Sequence, residues 1–317
     1  MYSKITGTGG YLPERIMPNS ELEALVDTSD EWIQTRTGIK QRHIAGEDET
    51  TCDMAYEAAL KSIESAGIDK NDIDLIVFAT STPDQIYPST ACLLQNRLGI
   101  KNQCAAFDIQ AVCSGFVYAL SVADKFIKSG SATCVLVVGA DCNSKILDWT
   151  DRTTCVLFGD GAGAAILKAA EDPGIYYSQI HADGSYAEML QVPGGICRPH
   201  AEPYVRMRGG EVFKFAVIAM GEIVDDVLKA VNMKKEDIDW LVPHQANQRI
   251  ISATARKLDL PMSRVIMTVQ DHGNTSAASI PLALDIGIRS GRIKPGELLL
   301  LEAVGGGFTW GAVLVRY

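Results

Sequence analysis

Five short stretches of the chain are almost wholly apolar: Asp74-Leu-Ile-Val-Phe-Ala79, Cys134-Val-Leu-Val-Val-Gly139, Ala164-Ala-Ile-Leu167, Trp240-Leu-Val242 and Leu298-Leu-Leu-Leu-Glu302. Unbroken apolarity over so few residues predicts strands covered on both faces. Between these runs the spacing changes. From Thr51 to Ala66 apolar residues recur three and four apart, the period of a helix with one buried face. Thr51 is placed to cap the start of that helix and Gly67 to end it. Strand and helix signals alternate, which predicts an α/β chain.

A weak internal repeat sharpens this. Lys70-Asn-Asp-Ile-Asp-Leu-Ile-Val77 matches Lys235-Glu-Asp-Ile-Asp-Trp-Leu-Val242. Arg97-Leu-Gly-Ile100 and Lys257-Leu-Asp-Leu260 follow in the same order, and each half closes on a Gly-Ala strand, Gly163–Lys168 and Gly311–Arg316. Three matches in order point to a duplicated α/β unit. The boundary is expected near residue 170, giving halves 1–170 and 171–317.

Composition narrows the function classes. The 317 residues carry a net charge of −10, and 47% are hydrophobic, an ordinary globular balance. An acidic chain lacks the broad basic face that nucleic acid requires. No apolar run approaches the length of a membrane span, and the first residues lack the apolar core of a signal peptide. The expectation is a soluble, cytoplasmic protein. The eight cysteines show no paired spacing of the zinc-binding kind.

One cysteine has distinctive surroundings. Cys113 follows Phe107-Asp-Ile-Gln-Ala-Val112 and precedes a long apolar pattern rich in small residues, so it lies where a helix begins. The positive end of that helix would favour thiolate and lower the pKa; a buried packing cysteine is the alternative. The counterpart segment in the second half is Asp271-His-Gly-Asn274-Thr-Ser-Ala-Ala-Ser279, which would set Asn274 and Cys113 at facing helix starts. Pro243-His244 follows the strand at Trp240-Leu-Val242, which puts His244 at the strand end, where open α/β sheets bind ligands. Gly-rich Phe158–Gly163 and Gly305–Gly307 match neither a dinucleotide fingerprint nor a P-loop, which excludes nucleotide-dependent kinase and dehydrogenase readings.

Cys113 in Cys-Ser-Gly-Phe, His244 in His-Gln-Ala-Asn and Asn274 in Gly-Asn-Thr-Ser resemble the Cys-His-Asn triad of the 3-oxoacyl-acyl-carrier-protein synthase III family, within the thiolase superfamily. The resemblance runs nearly end to end through Gly7-Thr-Gly9, Thr28-Ser-Asp-Glu-Trp-Ile33, Arg36-Thr-Gly-Ile39, Phe158–Gly163 and Gly305-Gly-Gly-Phe-Thr-Trp-Gly311. It implies a thiolase-like five-layer α-β-α-β-α fold made of two similar halves. Related branches differ in their residues. Elongating synthases carry a second histidine where Asn274 stands, thiolases a second cysteine near the C-terminal Gly-rich loop, and plant-type polyketide synthases a Gly-Phe-Gly-Pro-Gly loop.

The resemblance implies the initiating condensation of fatty-acid synthesis. Cys113 would take the acyl group of a short acyl-CoA, acetyl-CoA above all. Malonyl-acyl-carrier protein would then lose carbon dioxide and attack the acyl-enzyme. His244 and Asn274 would donate hydrogen bonds to the enolate oxygen, and the backbone N–H groups of Cys113 and Gly306 would form an oxyanion hole. No metal or external cofactor is implied, CoA thioester being a substrate. Trp32, Arg36, Arg152, Phe213 and Asn247 would bind CoA. Tyr87 would reach across a homodimer to gate the partner's acyl pocket. Lys214, Gln245, Arg249, Arg256 and Lys257 would receive the acidic carrier protein; Arg249 and Arg256, seven apart, share a helical face. A thioester hydrolase, or a condensing enzyme of secondary metabolism using longer acyl thioesters, would fit the same triad.

Overall fold

The computed structural model describes every residue from Met1 to Tyr317. Its first sheet contains β1 (Tyr2–Tyr11), β2 (Leu75–Ala79), β3 (Ala105–Ile109), β4 (Cys134–Asp141) and β5 (Gly161–Ala170), in the order β1-β5-β4-β2-β3. The second contains β6 (Ile175–Ala182), β7 (Trp240–Pro243), β8 (Leu298–Gly305) and β9 (Thr309–Arg316), in the order β7-β8-β9-β6. Val265 adds a single parallel bridge to Leu241, in the place that β3 takes beside β2. Read from the opposite edge, the two sheets therefore have the same order.

Seven main helices complete the layers: α1 (Asp30–Thr37), α2 (Thr51–Ala66), α3 (Thr90–Leu98), α4 (Gly115–Lys128), α5 (Gly209–Ala230), α6 (Gln248–Lys257) and α7 (Ser279–Arg289). Helices α2 and α3 cover the outer face of the first sheet, α4 and α7 lie between the sheets, and α5 and α6 cover the second. This is the five-layer arrangement that the resemblance implied. It also explains the unbroken apolar runs. Along β2, Leu75, Val77 and Ala79 face the middle layer with Phe116 and Leu284, while Ile76 and Phe78 face α2 and α3. Full burial of such a side chain contributes about 1.5–3 kcal/mol. No helix is long and apolar enough to cross a membrane.

The sequence repeat has a structural counterpart. Lys70–Asp72 and Lys235–Asp237 each form a single 3-10 turn that leads into β2 or β7. Asp74 and Asp239 then donate their backbone N–H to Cys134 and Leu298, both at 2.9 Å. The pairing of Cys113 with Asn274 is different from that expected. Val112 and Ser276 both occupy the left-handed region, at φ 48° and 50°, and each opens a 3-10 turn before α4 or α7. The counterpart of Cys113 is therefore Ala277, not Asn274, which stands three residues earlier. Gly139 lets these turns meet, since a Cβ there would lie 2.3 Å from the Ala277 carbonyl oxygen. Helix α2 is capped one residue before the expected position, by Thr50 with a reciprocal bond from Asp53, and ends at left-handed Gly67 as expected.

Glu302 interrupts the apolar run of β8 and is fully buried. The Thr254 hydroxyl approaches its carboxyl, yet neither carboxyl oxygen completes a hydrogen bond. Burial pushes its pKa from 4.5 up to about 8. The folded chain thus holds a proton that the unfolded chain has lost between these values, and stability falls as pH rises through that window. His244 and His272 act in the opposite sense. Burial lowers them from 6.5 to about 3 and about 4, so their effect raises stability with pH and is complete above 6.5. Among these three groups only Glu302 titrates from 6.5 to 8. Wild type is expected to lose about 1.4 kcal/mol per pH unit there, and Glu302→Gln to show no such slope. Urea unfolding at several pH values across the window measures this; parallel wild-type and variant profiles would contradict it.

Candidate active site

Three loops converge where the sheets' strand ends meet the middle layer. The turn Val112–Ser114 after β3 carries Cys113, the end of β7 carries His244, and the segment before α7 carries Asn274. All three line one cavity of about 80 Å³, together with Phe213, Asn247, Leu157, Met207 and Val304. Most of the lining is apolar, which strengthens each polar interaction made inside it. Cys113 also lines a second space, of about 270 Å³, with Ser81, Gln110, Asn143, Ile146 and Leu190. The thiol therefore stands between two chambers.

The loop after β8 closes on Cys113. A Cβ on Gly305 would lie 2.8–2.9 Å from the Ala111 carbonyl oxygen and the amide nitrogens of Cys113 and Ser114. Neither the Cys113 nor the Gly306 amide N–H donates to a backbone carbonyl; the Cys113 N–H faces its own sulfur. Two free backbone donors beside a nucleophile are what an oxyanion hole requires.

The expected depression of the Cys113 pKa is reversed. The side chain is buried, and desolvation is the largest influence, pushing the thiol up to about 12. The Ser276 side chain pulls it down and the buried Asp141 carboxylate pushes it up. The proximity of a helix start was legible from the residues, whereas the depth of the turn beneath the Gly-rich loop was not.

His244 is buried and neutral, since desolvation alone lowers its pKa to about 3. Its Nδ1 lies 2.6 Å from Ser279 Oγ, at the start of α7. Asn274 is oriented by the same turn: its Oδ1 accepts the Ser276 N–H at 2.9 Å, which leaves the side-chain NH₂ as the group free for the cavity. A neutral imidazole and an amide, both without charge at neutral pH, are suited to hydrogen bonding with a developing oxyanion. Ser276 and Ser279 escaped the sequence reading, because a serine in a small-residue run carries no signal of its own.

The expected CoA residues fall into two groups, one outside the cavity and one on its wall. Arg36 and Arg152 both lie over the Trp32 ring, at 5.4 and 5.1 Å from its centroid. Arg152 also donates to the Asp27 carbonyl at 2.6 Å. Asn247 caps α6 through the Ile250 N–H and lines the cavity beside Phe213, on which Arg249 stacks at 5.1 Å. An open cleft of about 410 Å³ lies between α1 and α6, lined by Phe213, Arg249 and Arg256 among others.

One carrier-docking expectation fails. Gln245 is completely buried, where its Oε1 accepts the Thr268 and Val269 N–H groups and its Nε2 donates to the Pro243 and Ile266 carbonyls. Its four bonds pin the His244 loop, so it cannot meet a partner. Lys214, Arg249, Arg256 and Lys257 are exposed, although Lys257 pairs with Asp225 at 3.0 Å. Tyr87 is 82% exposed and lines neither chamber of its own chain.

Known proteins match this chain over its whole length. Residues 107–184 fit the family model described as 3-Oxoacyl-[acyl-carrier-protein (ACP)] synthase III, and residues 228–317 the model of its C-terminal part. The beta-ketoacyl-[acyl-carrier-protein] synthase III of Thioalkalivibrio sulfidiphilus is 60% identical, the alignment covering 100% of this chain and 99% of that protein. That of Xylella fastidiosa is also 60% identical with the same coverage. The crystal structure of 3-oxoacyl-[acyl-carrier-protein] synthase III from Aquifex aeolicus superposes with a TM-score of 0.94 at 51% identity, over 99% of this chain and 100% of that one. With the triad residues gathered in one chamber of a thiolase-like fold, the chain belongs to the 3-oxoacyl-[acyl-carrier-protein] synthase III family and is an acyltransferase-type condensing enzyme of fatty-acid synthesis.

Proposed function

We propose that this enzyme joins a short acyl-CoA, acetyl-CoA in the first place, to malonyl-acyl-carrier protein through an acyl-Cys113 intermediate. The observation that carries this reading is the position of Cys113 between two chambers, one of which holds both His244 and Asn274. In the first half-reaction the Cys113 sulfur adds to the thioester carbonyl, whose oxygen meets the Cys113 and Gly306 N–H groups. The proton lost by the thiol as sulfur attacks ends on the CoA sulfur, so that CoA departs as its thiol and the acyl group remains on Cys113. In the second, malonyl-acyl-carrier protein releases carbon dioxide; the enolate oxygen forms opposite the His244 and Asn274 donors. Its carbon attacks the acyl group, 3-oxoacyl-acyl-carrier protein leaves, and Cys113 is expelled as thiolate, which takes a proton from solvent to restore the thiol. The chain's own groups supply every step, and no metal or external cofactor enters.

Trp32 with Arg36 and Arg152 would take the nucleotide of CoA, the base entering between indole and guanidinium where the arginines now stack. The arm would pass Phe213 and Asn247. Arg249 and Arg256 at the cleft, flanked by Lys214 and Lys257, would guide an acidic carrier protein to the same entrance. Homodimerisation would bring the exposed Tyr87 of one protomer to the larger chamber of its partner and restrict it to short acyl groups.

The experiment is a product assay with acetyl-CoA and malonyl-acyl-carrier protein. Acetoacetyl-acyl-carrier protein, CoA and carbon dioxide in equal amounts are expected. Free acetate without a condensation product would instead identify a thioester hydrolase. Turnover only with long acyl thioesters would place the enzyme in a different branch of condensing chemistry.

A further inference from the structure

Ser279 lies thirty-five positions from His244 in sequence, yet its hydroxyl makes the one hydrogen bond of the His244 ring. It is the first residue of α7 and is 1% exposed. A hydroxyl there commonly turns back onto its own helix. This one crosses to His244 Nδ1 at 2.6 Å and also receives the Gln245 N–H at 3.4 Å.

The hydrogen-bond inventory of this buried group fixes the direction of the short bond. A hydroxyl has one proton to donate and two lone pairs. The Gln245 N–H can only donate, so it occupies a lone pair. The hydroxyl proton has no other acceptor in the chain than Nδ1. Were Nδ1 protonated, two donors would face one oxygen and the hydroxyl proton would be stranded in a buried site, an arrangement that folded proteins avoid. Gln245 cannot relax the constraint, because four further bonds hold its side chain to Pro243, Ile266, Thr268 and Val269.

We infer that Ser279 is a positioning residue for the condensation step: it donates to His244 Nδ1 and so keeps the imidazole proton on Nε2, the nitrogen left for the cavity. The segment 274–279 would then orient both oxyanion donors, Asn274 through the Ser276 N–H and His244 through the Ser279 hydroxyl. The inference rests on the reading of His244 as an N–H donor to the enolate.

The test combines histidine nitrogen NMR with separate half-reactions. With five histidines in the chain, ¹⁵N-histidine labelling and a His244→Ala reference identify the His244 signals. Wild type is expected to show a protonated Nε2 and a bare Nδ1 at neutral pH. Ser279→Ala is expected to shift the proton toward Nδ1. Malonyl-acyl-carrier protein decarboxylation by that variant should slow by about tenfold, the factor associated with one net hydrogen bond. Acylation of Cys113 by acetyl-CoA should change less than about twofold, and Ser279→Thr should restore both tautomer and rate. A wild-type signal with protonated Nδ1 overturns the inference, whether or not the alanine variant folds. So does an unchanged tautomer in Ser279→Ala, or an equal loss in both half-reactions. If wild type fails to decarboxylate malonyl-acyl-carrier protein at all, the proposed function fails instead, and the tautomer measurement still decides the role of Ser279.

Discussion

His244→Ala is expected to retain acyl transfer to Cys113 while slowing carbon dioxide release from malonyl-acyl-carrier protein by about 10²–10³-fold, the loss of about 2.7–4 kcal/mol typical of one oxyanion donor. The separation follows from the site. His244 is neutral because burial holds its pKa near 3, so its contribution is an N–H dipole. In the proposed mechanism the oxyanion of the first half-reaction meets the amides of Cys113 and Gly306 instead, neither of which bonds a backbone carbonyl. Asn274→Ala should show the same split, because its carbonyl oxygen is engaged by Ser276 and its amide nitrogen faces the same chamber. The double variant should lose less than the product of the two single losses, since both donors serve one oxygen. Pre-acylating each variant and then measuring carbon dioxide release isolates the second step. Equal losses in acyl transfer and decarboxylation would show that His244 also removes the Cys113 proton.

Gly305→Ala is expected to lower acylation of Cys113 by about 10²-fold or more, a cost comparable to displacing a reacting group by about 1 Å. Three backbone atoms of the Ala111–Ser114 turn lie within 2.9 Å of the new methyl position. Backbone cannot rotate aside as a side chain can, so either the nucleophile turn or the Gly-rich loop must shift. Each movement pulls apart the two amides of the oxyanion hole. A normal acylation rate in this variant would mean that the hole lies elsewhere. A shift of the thermal midpoint without loss of acylation would assign Gly305 to packing alone.

Much of the architecture was legible because it rests on periodicity. The apolar runs around Leu75, Val135 and Leu299 form central strands, buried on both faces as their composition required. The repeat in Lys70–Val77 and Lys235–Val242 marks equivalent turn-and-strand units of the two sheets. Cys113, His244 and Asn274 stood out through their neighbours, and they meet in one cavity.

What the sequence concealed depends on three-dimensional context. Gln245 has the composition of a surface residue, and only the burial of its four hydrogen bonds shows that it braces the His244 loop. The left-handed backbone at Val112 and Ser276 goes against the ordinary preference of both residue types, so the true register of the two turns was hidden. The helix start beside Cys113 is legible in the sequence, whereas the burial that pushes its thiol up is not. Ser279 is ordinary in sequence and acts on a histidine thirty-five positions away.

The role proposed for Cys113 is to carry the acyl group between the two substrates. Its most direct test is to expose the protein to labelled acetyl-CoA, quench, digest and locate the label by mass spectrometry, with Cys113→Ala in parallel. Label on the peptide containing Cys113, absent from the variant and discharged into acetoacetyl product when malonyl-acyl-carrier protein is added, is the predicted result. Label on another residue, or condensation that persists in Cys113→Ala, would rule that role out.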